Sequence, residues 1–357
     1  MNSGFVANFG FAEQGAGSDA KGDVATDTLG LGGITLNDQQ IAISYGNSSI
    51  TFSILGLGYA SAENQVHTEN PKDPYDNLPL ALAKQGVTNL ALFSLWKDQQ
   101  VNSFNGHLLF GGIDKDKYTG KLVTLPVQSR ENGITAFDIT LQAVRVNGAL
   151  GIKDDITGPF NVVLDCGSTG SILSDEMAKP IFEKFGVTYY PKNNSATVDC
   201  AVGRSATTID FKFDGITITI PVAVFVSPYS GRDLCSFGIV AAGERRGLLG
   251  SNFLSSAYAV FDISNNQISL AARNFASKKE NISAVPIGGV TADADIPVTT
   301  GTAPTPTTGA GAGSGPASGT GAASPATTSK QGSASTVAWN GLVGLSLFVC
   351  SCLILMM

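Results

Sequence analysis

Asp165 is the residue whose type and setting point most directly to chemistry. It lies in the segment 160–173, which reads Phe-Asn-Val-Val-Leu-Asp-Cys-Gly-Ser-Thr-Gly-Ser-Ile-Leu. The apolar run before it predicts a buried strand, and a carboxylate at the end of such a strand is costly unless it is hydrogen-bonded or paired. The N–H of Gly167 and the hydroxyl of Ser168 can orient it. The segment predicts either a catalytic carboxylate or an ordinary aspartate in a strand-ending turn.

Other candidates for chemistry are few. His67 and His107 are the only histidines, and each is expected to be a surface or strand residue. A cysteine nucleophile needs a neighbouring base, so Cys166 is not expected to act as one. The glycine-rich piece from Gly30 to Gly33 precedes no helical pattern, which argues against a phosphate-binding loop.

Strands must position these residues, because short β-branched or aromatic runs bounded by Gly, Asn and Asp recur at close spacing. Segments that alternate about a turn pair predict hairpins at 141–150, 210–220 and 259–270. Helical patterns are limited to 78–85 and to 174–185, which Pro180 should interrupt. The sequence predicts an all-β chain, closer to a barrel or sandwich than to a βαβ fold.

An internal repetition predicts two related lobes. Residues 53–59 read Ser-Ile-Leu-Gly-Leu-Gly-Tyr, and residues 246–253 read Arg-Gly-Leu-Leu-Gly-Ser-Asn-Phe. Both contain two apolar residues followed by Gly, within otherwise unrelated surroundings. We call this the apolar-apolar-Gly element.

Composition narrows the class of function. The 357 residues include 22 basic and 29 acidic side chains, which gives a net charge of −7, and only 14% of residues are charged. No cationic surface is available to neutralise phosphates, so nucleic-acid binding is excluded. The low charged share is typical of a secreted or cell-surface protein rather than a cytosolic one.

The C-terminal quarter has a different composition. Between Thr299 and Thr336, 36 of 38 residues are Ser, Thr, Gly, Ala or Pro, too little apolar surface to fold. This segment predicts a stalk open to O-glycosylation or a plain flexible linker. The uncharged run Leu342–Met357 is shorter than a spanning helix needs. With small residues near Gly332 as the attachment site, it predicts a glycolipid-anchor signal; an ordinary C-terminal membrane anchor is the alternative.

A glycolipid anchor implies passage through the secretory pathway to the cell surface. Such precursors begin with a signal peptide, which residues 1–10 do not resemble, so we expect further sequence upstream. Asn47, Asn193 and Asn281 each begin an Asn-x-Ser sequon. Three cysteines precede the apolar tail, and an odd count predicts one free thiol.

These motifs together resemble the pepsin-like aspartic proteases, and most closely their fungal surface-anchored branch, the yapsins and candidapepsins. Asp165-Cys166-Gly167-Ser168 is similar to the family's second Asp-Ser/Thr-Gly-Ser/Thr motif, and residues 247–270 are similar to its C-lobe signature. First-lobe segments similar to the family's follow in the same order: Asp27–Leu29, Gly32-Gly33, Ile54–Tyr59, Asn77–Pro79 and Phe110–Asp114. The resemblance covers residues 5–274.

The resemblance implies an all-β, bilobal pepsin-like acid protease fold with an incomplete N-terminal lobe that begins near the flap. Residues 1–128 would form that partial lobe with the inter-lobe strands, and residues 129–276 the C-terminal lobe. Residues 277–336 would be the disordered stalk, and residues 337–357 the apolar anchor signal.

The resemblance also implies the chemistry. In this family two aspartates share one proton across a cleft; one acts as base on a water and the other polarises the scissile carbonyl. Asp165 would be one half of this dyad, with Cys166, Gly167 and Ser168 as its active-site loop. The implied substrates are polypeptides, no metal or organic cofactor is needed, and the enzyme would be a monomer.

Two departures from the family pattern bear on activity. The flap Tyr-Gly pair corresponds to Phe9-Gly10, with Phe11 as the other alignment, and either phenylalanine lacks the hydroxyl. Cys200 and Cys235 match the C-lobe disulfide, which leaves Cys166 as the free cysteine. Cys166 replaces a Thr or Ser whose hydroxyl locks the two catalytic loops together, and it is expected to be a small buried apolar residue.

The first catalytic aspartate has no counterpart in this sequence. Asp23 and Asp27 come nearest, but neither is followed by the required glycine. The main hypothesis is a secreted, anchored aspartic endopeptidase whose first catalytic motif lies upstream, so that this chain alone is inactive. The alternative is an inert pseudoprotease that binds peptides or proteins. A half-protease that pairs two copies of Asp165 is disfavoured, because the first-lobe residues would obstruct the dimer.

Overall fold

The computed structural model describes residues 4–9, 18–31, 33–44, 54–63, 73–98, 106–148, 154–228 and 234–290, with Ile152 and the segments 335–338 and 348–351. Strands dominate these residues, which confirms the all-β fold class. The strands are β1 (Gly4–Phe9), β2 (Ser18–Leu31), β3 (Ile34–Ser44), β4 (Ile54–Gly56), β5 (Leu92–Lys97), β6 (Gly106–Phe110), β7 (Gly112–Asp114), β8 (Tyr118–Pro126), β9 (Asp138–Asn147), β10 (Ile156–Leu164), β11 (Ser171–Leu173), β12 (Thr188–Tyr190), β13 (Ser195–Asp199), β14 (Thr208–Phe213), β15 (Ile216–Pro221), β16 (Val226–Pro228), β17 (Leu234–Phe237), β18 (Ile239–Ala241), β19 (Gly247–Leu249), β20 (Ala257–Asp262), β21 (Gln267–Arg273), β22 (Ile282–Ala284), β23 (Ser335–Ala338) and β24 (Phe348–Ser351).

The α-helices of the described residues are short: α1 (Leu78–Lys84), α2 (Asp175–Phe185) and α3 (Ser251–Leu254). None of the helices in this part of the chain has the length and apolar character needed to span a membrane.

The N-terminal part begins with an antiparallel sheet in the order β1-β2-β3. β1 and β2 form a hairpin in which Gly4 lies opposite Asp23 and Phe9 lies opposite Ser18. The predicted flap residue Phe9 therefore ends one strand of a hairpin, whereas Gly10 lies outside the described residues. The flap assignment stays a prediction.

A central sheet joins the two halves of the chain. Its order is β23-β6-β5-β20-β21-β8, so β20 and β21 from the second half lie between strands of the first. Phe93 of β5 and Phe261 of β20 are fully buried, and their rings stack with centroids 4.8 Å apart. The expected boundary between residues 128 and 129 follows the end of β8, but the core continues across it.

The C-terminal lobe is built on a sheet in the order β15-β14-β9-β10-β19-β11-β18 and a smaller one in the order β12-β13-β17-β16. The hairpins predicted at 210–220 and 259–270 are confirmed as β14–β15 and β20–β21. Gly215, in the first of these turns, has a φ of 77°, which favours glycine. A hairpin was also predicted at 141–150. β9 and β10 do pair antiparallel, but the tight turn expected at Asn147-Gly148 is wrong, because β10 begins only at Ile156.

The predicted interruption at Pro180 is also wrong, since α2 continues through it. A proline inside a helix costs about 3 kcal/mol. The buried face of α2 includes Met177, Ile181, Phe182 and Phe185, and each such side chain contributes about 1.5 to 3 kcal/mol on burial. Burial therefore outweighs the cost of the proline.

The folded part extends beyond the boundary expected at residue 276. β22 pairs antiparallel with β7, Val285 is fully buried, and the side-chain amide of Asn89 donates to Val285 O at 2.9 Å. The disordered stalk was expected from residue 277, but the fold continues through β22 to Val285, whose N–H donates to Gly111 O at 2.9 Å. Near the C terminus, β23 pairs with β6 and β24 pairs in parallel with β4.

Candidate active site

Asp165 directly follows β10, and its position is fixed because β10 pairs with a strand on each side. Residues 162–164 are almost fully buried and pair in parallel with β19, while the other side of β10 pairs antiparallel with β9. The backbone N–H of Asp165 donates to Leu249 O at 3.1 Å. This hydrogen bond fixes the residue at the point where the strand becomes a loop.

Both carboxyl oxygens of Asp165 are held by that loop, as the sequence predicted. The N–H of Gly167 donates to Oδ1 at 2.8 Å, and the hydroxyl of Ser168 donates to Oδ2 at 2.7 Å. Burial raises the pKa of Asp165, while hydrogen bonds from Ser168 and Gly167 act in the opposite direction. A fixed carboxyl with a raised pKa is suited to general acid–base catalysis in acidic solution.

The apolar-apolar-Gly element of residues 247–250 passes directly beside this loop. The N–H of Ser251 donates to Ser168 O at 2.7 Å. A Cβ added at Gly250 would lie 2.1 Å from the carbonyl oxygen of Gly170, closer than any real contact. Only glycine fits at position 250.

Cys166 corrects an expectation from the sequence. It was predicted to be a free thiol, but it is disulfide-bonded. Its side chain is partly buried and packs against the main core. A disulfide-bonded sulfur cannot donate a hydrogen bond, as the Ser or Thr hydroxyl of the family pattern would. The covalent bond restrains the loop instead.

The disulfide between Cys200 and Cys235 is confirmed. Their Cα atoms lie 5.1 Å apart, at a sequence separation of 35. Cys235 of β17 lies opposite Val198 of β13, so the bridge links the two inner strands of the smaller C-terminal sheet.

The predicted glycosylation sites are only partly described. Asn193 is exposed in the turn before β13, and Asn281 is exposed at the entry to β22. Asn47 and the proposed anchor attachment residue Gly332 lie outside the described residues. Modification of these sites stays a prediction.

The other candidates do not join Asp165 in a site. Asp23 and Asp27 lie on β2, where the carboxylate of Asp27 is exposed and accepts from the N–H of Thr28 at 2.7 Å. His107 is a strand residue, as expected; its ring stacks on Trp96 with centroids 5.1 Å apart. His67 lies outside the described residues, and within the described ranges no group of three or more His, Cys, Asp or Glu could hold a metal ion.

Two buried residues beside the loop were missed by the sequence analysis. The hydroxyl of Ser171 donates to Oδ1 of Asn252 at 2.6 Å, and both side chains are almost fully buried. The position of Asn252, two residues after Gly250, is the signal that could have identified it.

A second perturbed carboxyl lies in the first lobe. Glu63 follows the first-lobe apolar-apolar-Gly element, and its Oε2 accepts from the N–H of Tyr75 at 2.9 Å. Its Oε1 is buried and has no hydrogen-bond partner among the residues that the structure describes. Burial raises the pKa of Glu63 to about 7, and the nearby carboxylate of Asp76 acts in the same direction. No motif marks this residue, because its pKa depends on burial.

The fold resembles that of a solved aspartic proteinase. The structure of the enzyme from Irpex lacteus superposes with a TM-score of 0.62 over 77% of this chain and 83% of that one, at 20% sequence identity. This likeness supports the bilobal β-sheet fold.

Two sequence relatives have a higher identity to this chain than that solved structure has. The chain is 36% identical over 280 residues to the probable aspartic-type endopeptidase opsB of Aspergillus fumigatus, which covers 76% of this chain and 57% of that protein. It is 32% identical over 276 residues to Candidapepsin-1 of Candida albicans, covering 76% of this chain and 66% of the relative. The chain thus spans little more than half the length of the Aspergillus relative.

The family described as eukaryotic aspartyl protease matches residues 8–273, a range that includes Asp165, its loop and both apolar-apolar-Gly elements. The chain belongs to the eukaryotic aspartyl protease family.

Proposed function

We propose that this protein is an aspartic endopeptidase in which Asp165 is one half of a catalytic dyad. The observation that carries the proposal is the fixed, partly buried carboxyl of Asp165, whose two oxygens accept from Gly167 and Ser168 at 2.8 and 2.7 Å. Family membership supports the reaction class, which is hydrolysis of polypeptides without a metal or organic cofactor.

The second carboxylate of the dyad is proposed to lie outside this sequence. Asp165 is the only aspartate in an Asp-x-Gly-Ser/Thr context, and the matched region spans only 57% of the Aspergillus relative. In the complete dyad, two carboxyls a few ångströms apart would share one proton. The ionised one would take a proton from water as it attacks, and the protonated one would donate to the scissile carbonyl oxygen.

The test is to sequence the transcript upstream of Met1 and to express the longest open reading frame. We expect an Asp-Thr-Gly-Ser motif upstream, hydrolysis of an unfolded protein near pH 4, and loss of activity in Asp165→Asn. Asp214→Asn, at an exposed turn of the same lobe, is the matched control and should retain activity. Full activity in Asp165→Asn would refute the assignment.

The second candidate function is an inert module that binds peptides. The aligned flap phenylalanine at Phe9 and the bonded sulfur of Cys166 favour it, because both replace a hydroxyl of the family pattern. A stop codon directly upstream of Met1, together with saturable binding of an unfolded protein that is not cleaved, would support this candidate over the first.

We further propose that the protein is secreted, N-glycosylated and held at the cell surface by a glycolipid. The Ser/Thr-rich stretch, the apolar end of the sequence and the exposed Asn193 and Asn281 support this. Phosphatidylinositol-specific phospholipase C should release the protein from membranes of the producing cell. Retention after this treatment, with release by detergent alone, would instead favour an ordinary membrane anchor.

A further inference from the structure

The side-chain amide of Asn252 uses both its acceptor and its donor beside the aspartate loop. Its Oδ1 accepts from the hydroxyl of Ser171 at 2.6 Å and from the N–H of Phe253 at 2.8 Å. Its Nδ2 donates to the carbonyl oxygen of Gly238 at 2.7 Å. Asn252 is 9% exposed and Ser171 is 1% exposed, so these bonds are shielded from water.

These contacts connect three separate pieces of chain. The N–H of Ser171 donates to the same carbonyl oxygen of Gly238 at 2.8 Å, and its hydroxyl oxygen accepts from the N–H of Gly250 at 3.3 Å. The backbone N–H of Asn252 donates to Thr169 O at 3.2 Å. The far end of the loop that starts at Asp165 is therefore tied to β18 and to the start of α3.

The carboxyl of Asp165 depends on this loop for its orientation. Its two oxygens accept from Gly167 and Ser168. These two donors keep their positions only if the conformation of the loop is fixed. A buried polar network whose members all have partners is rigid, whereas a partly satisfied one is not. The rigidity of the loop therefore depends on the completeness of the network around Asn252.

We propose that Asn252 is a positioning residue for Asp165, acting through Ser171 and the loop of residues 165–171. The proposal rests on the function proposed for Asp165, and it adds how the carboxyl is kept in place. Only an amide fits this role. An aspartate at position 252 would direct a carboxylate oxygen at the carbonyl oxygen of Gly238, and an apolar residue would leave the Ser171 hydroxyl without its acceptor.

The test is amide hydrogen exchange of the full chain, followed by NMR at Gly167 and at strand amides of the central sheet. Ser171→Ala removes the hydroxyl and should lower the protection of the Gly167 N–H about fivefold, which corresponds to the loss of about 1 kcal/mol for a buried hydrogen bond. Ser94→Ala is the matched control, because Ser94 is also fully buried and donates its hydroxyl to Gly112 O at 2.6 Å. It should leave Gly167 unchanged.

Asn252→Asp provides a second variant with the same shape and should lower protection at Gly167 at least as strongly. Protection at Gly167 that stays at the wild-type level in both variants would overturn the proposal, as would a uniform loss that Ser94→Ala reproduces. This readout does not require catalysis.

In the form that hydrolyses peptides, Ser171→Ala should lower kcat about tenfold with KM nearly unchanged, because misplacement of a catalytic group affects the chemical step. If Asp165→Asn proves active, the proposed function fails while the exchange result stands. An unchanged kcat in Ser171→Ala beside an inactive Asp165→Asn would overturn the positioning role alone.

Discussion

Replacing Glu63 by Gln should stabilise the protein at neutral and alkaline pH but not in acid. Its Oε2 accepts one backbone hydrogen bond, and its Oε1 is buried with no partner in the described part of the chain. Burial, the larger cause, and the negative charge of Asp76 raise the pKa of Glu63 from 4.5 to about 7. The folded state therefore disfavours the ionised carboxylate relative to the unfolded state.

The change in the free energy of unfolding follows from the difference in the pKa of Glu63 between the folded and unfolded states. Below pH 4.5 the carboxyl is protonated in both states, and its stabilising effect is fully present. As the pH rises from 4.5 to about 7, the unfolded state loses its proton while the folded state keeps it, so the free energy of unfolding falls. At about 1.4 kcal/mol per pKa unit the full shift corresponds to about 3 kcal/mol, and partial exposure of Glu63 lowers this to about 1 to 2 kcal/mol.

The assay is urea unfolding of the full chain at pH 4 and pH 8, followed by tryptophan fluorescence. Glu63→Gln should match the wild type at pH 4 and exceed it by about 1 to 2 kcal/mol at pH 8. Glu183→Gln, on the exposed face of α2, is the control and should change little at either pH. A gain of equal size at both pH values, or a loss at pH 8, would refute the reasoning.

Three further predictions concern the framework of the site. Cys200→Ala should lower the free energy of unfolding by about 3 to 4 kcal/mol in urea titrations, and an unchanged midpoint would contradict a stabilising disulfide. Gly250→Ala should destabilise the chain by more than about 2 kcal/mol because its Cβ would overlap the backbone of Gly170, whereas Gly30→Ala, which has open space around it, should be tolerated in the same thermal scan. A chain ending at residue 276 should melt at a lower temperature than one ending at residue 290, because it loses β22 and buried Val285; equal melting temperatures would show that this segment adds no stability.

Local patterns were sufficient for much of the fold. Alternation about Asp214-Gly215 identified β14 and β15, and the apolar run before Asp165 identified the end of β10, because side-chain period and turn chemistry are local properties. The sequence patterns at Pro180 and Asn147 gave wrong predictions because the structure at these residues depends on contacts with distant segments. Burial of the α2 face outweighs a local cost at Pro180, and pairing with Thr208 keeps Asn147 within a strand.

In the candidate site, too, contacts between sequence neighbours could be predicted and contacts between distant residues could not. Asp165, Gly167 and Ser168 are neighbours in sequence, so their hydrogen bonds could be anticipated from residue types alone. The contacts of Asn252 with Ser171 and Gly238 span 81 and 14 residues, and nothing in the local sequence indicates them. The bonded state of Cys166 was likewise not accessible from counting cysteines.

The sequence by itself determined the reactive carboxylate, the loop that orients it and the repeated element beside it, because each is encoded by adjacent residues. Only the tertiary structure decided how deeply Asp165 and Glu63 are buried, and hence the direction of their pKa shifts. It also decided that Gly250 passes against Gly170 and that residues beyond 276 complete the fold. Desolvation and close packing depend on chain segments that are distant in sequence, so they appear only when those segments are brought together.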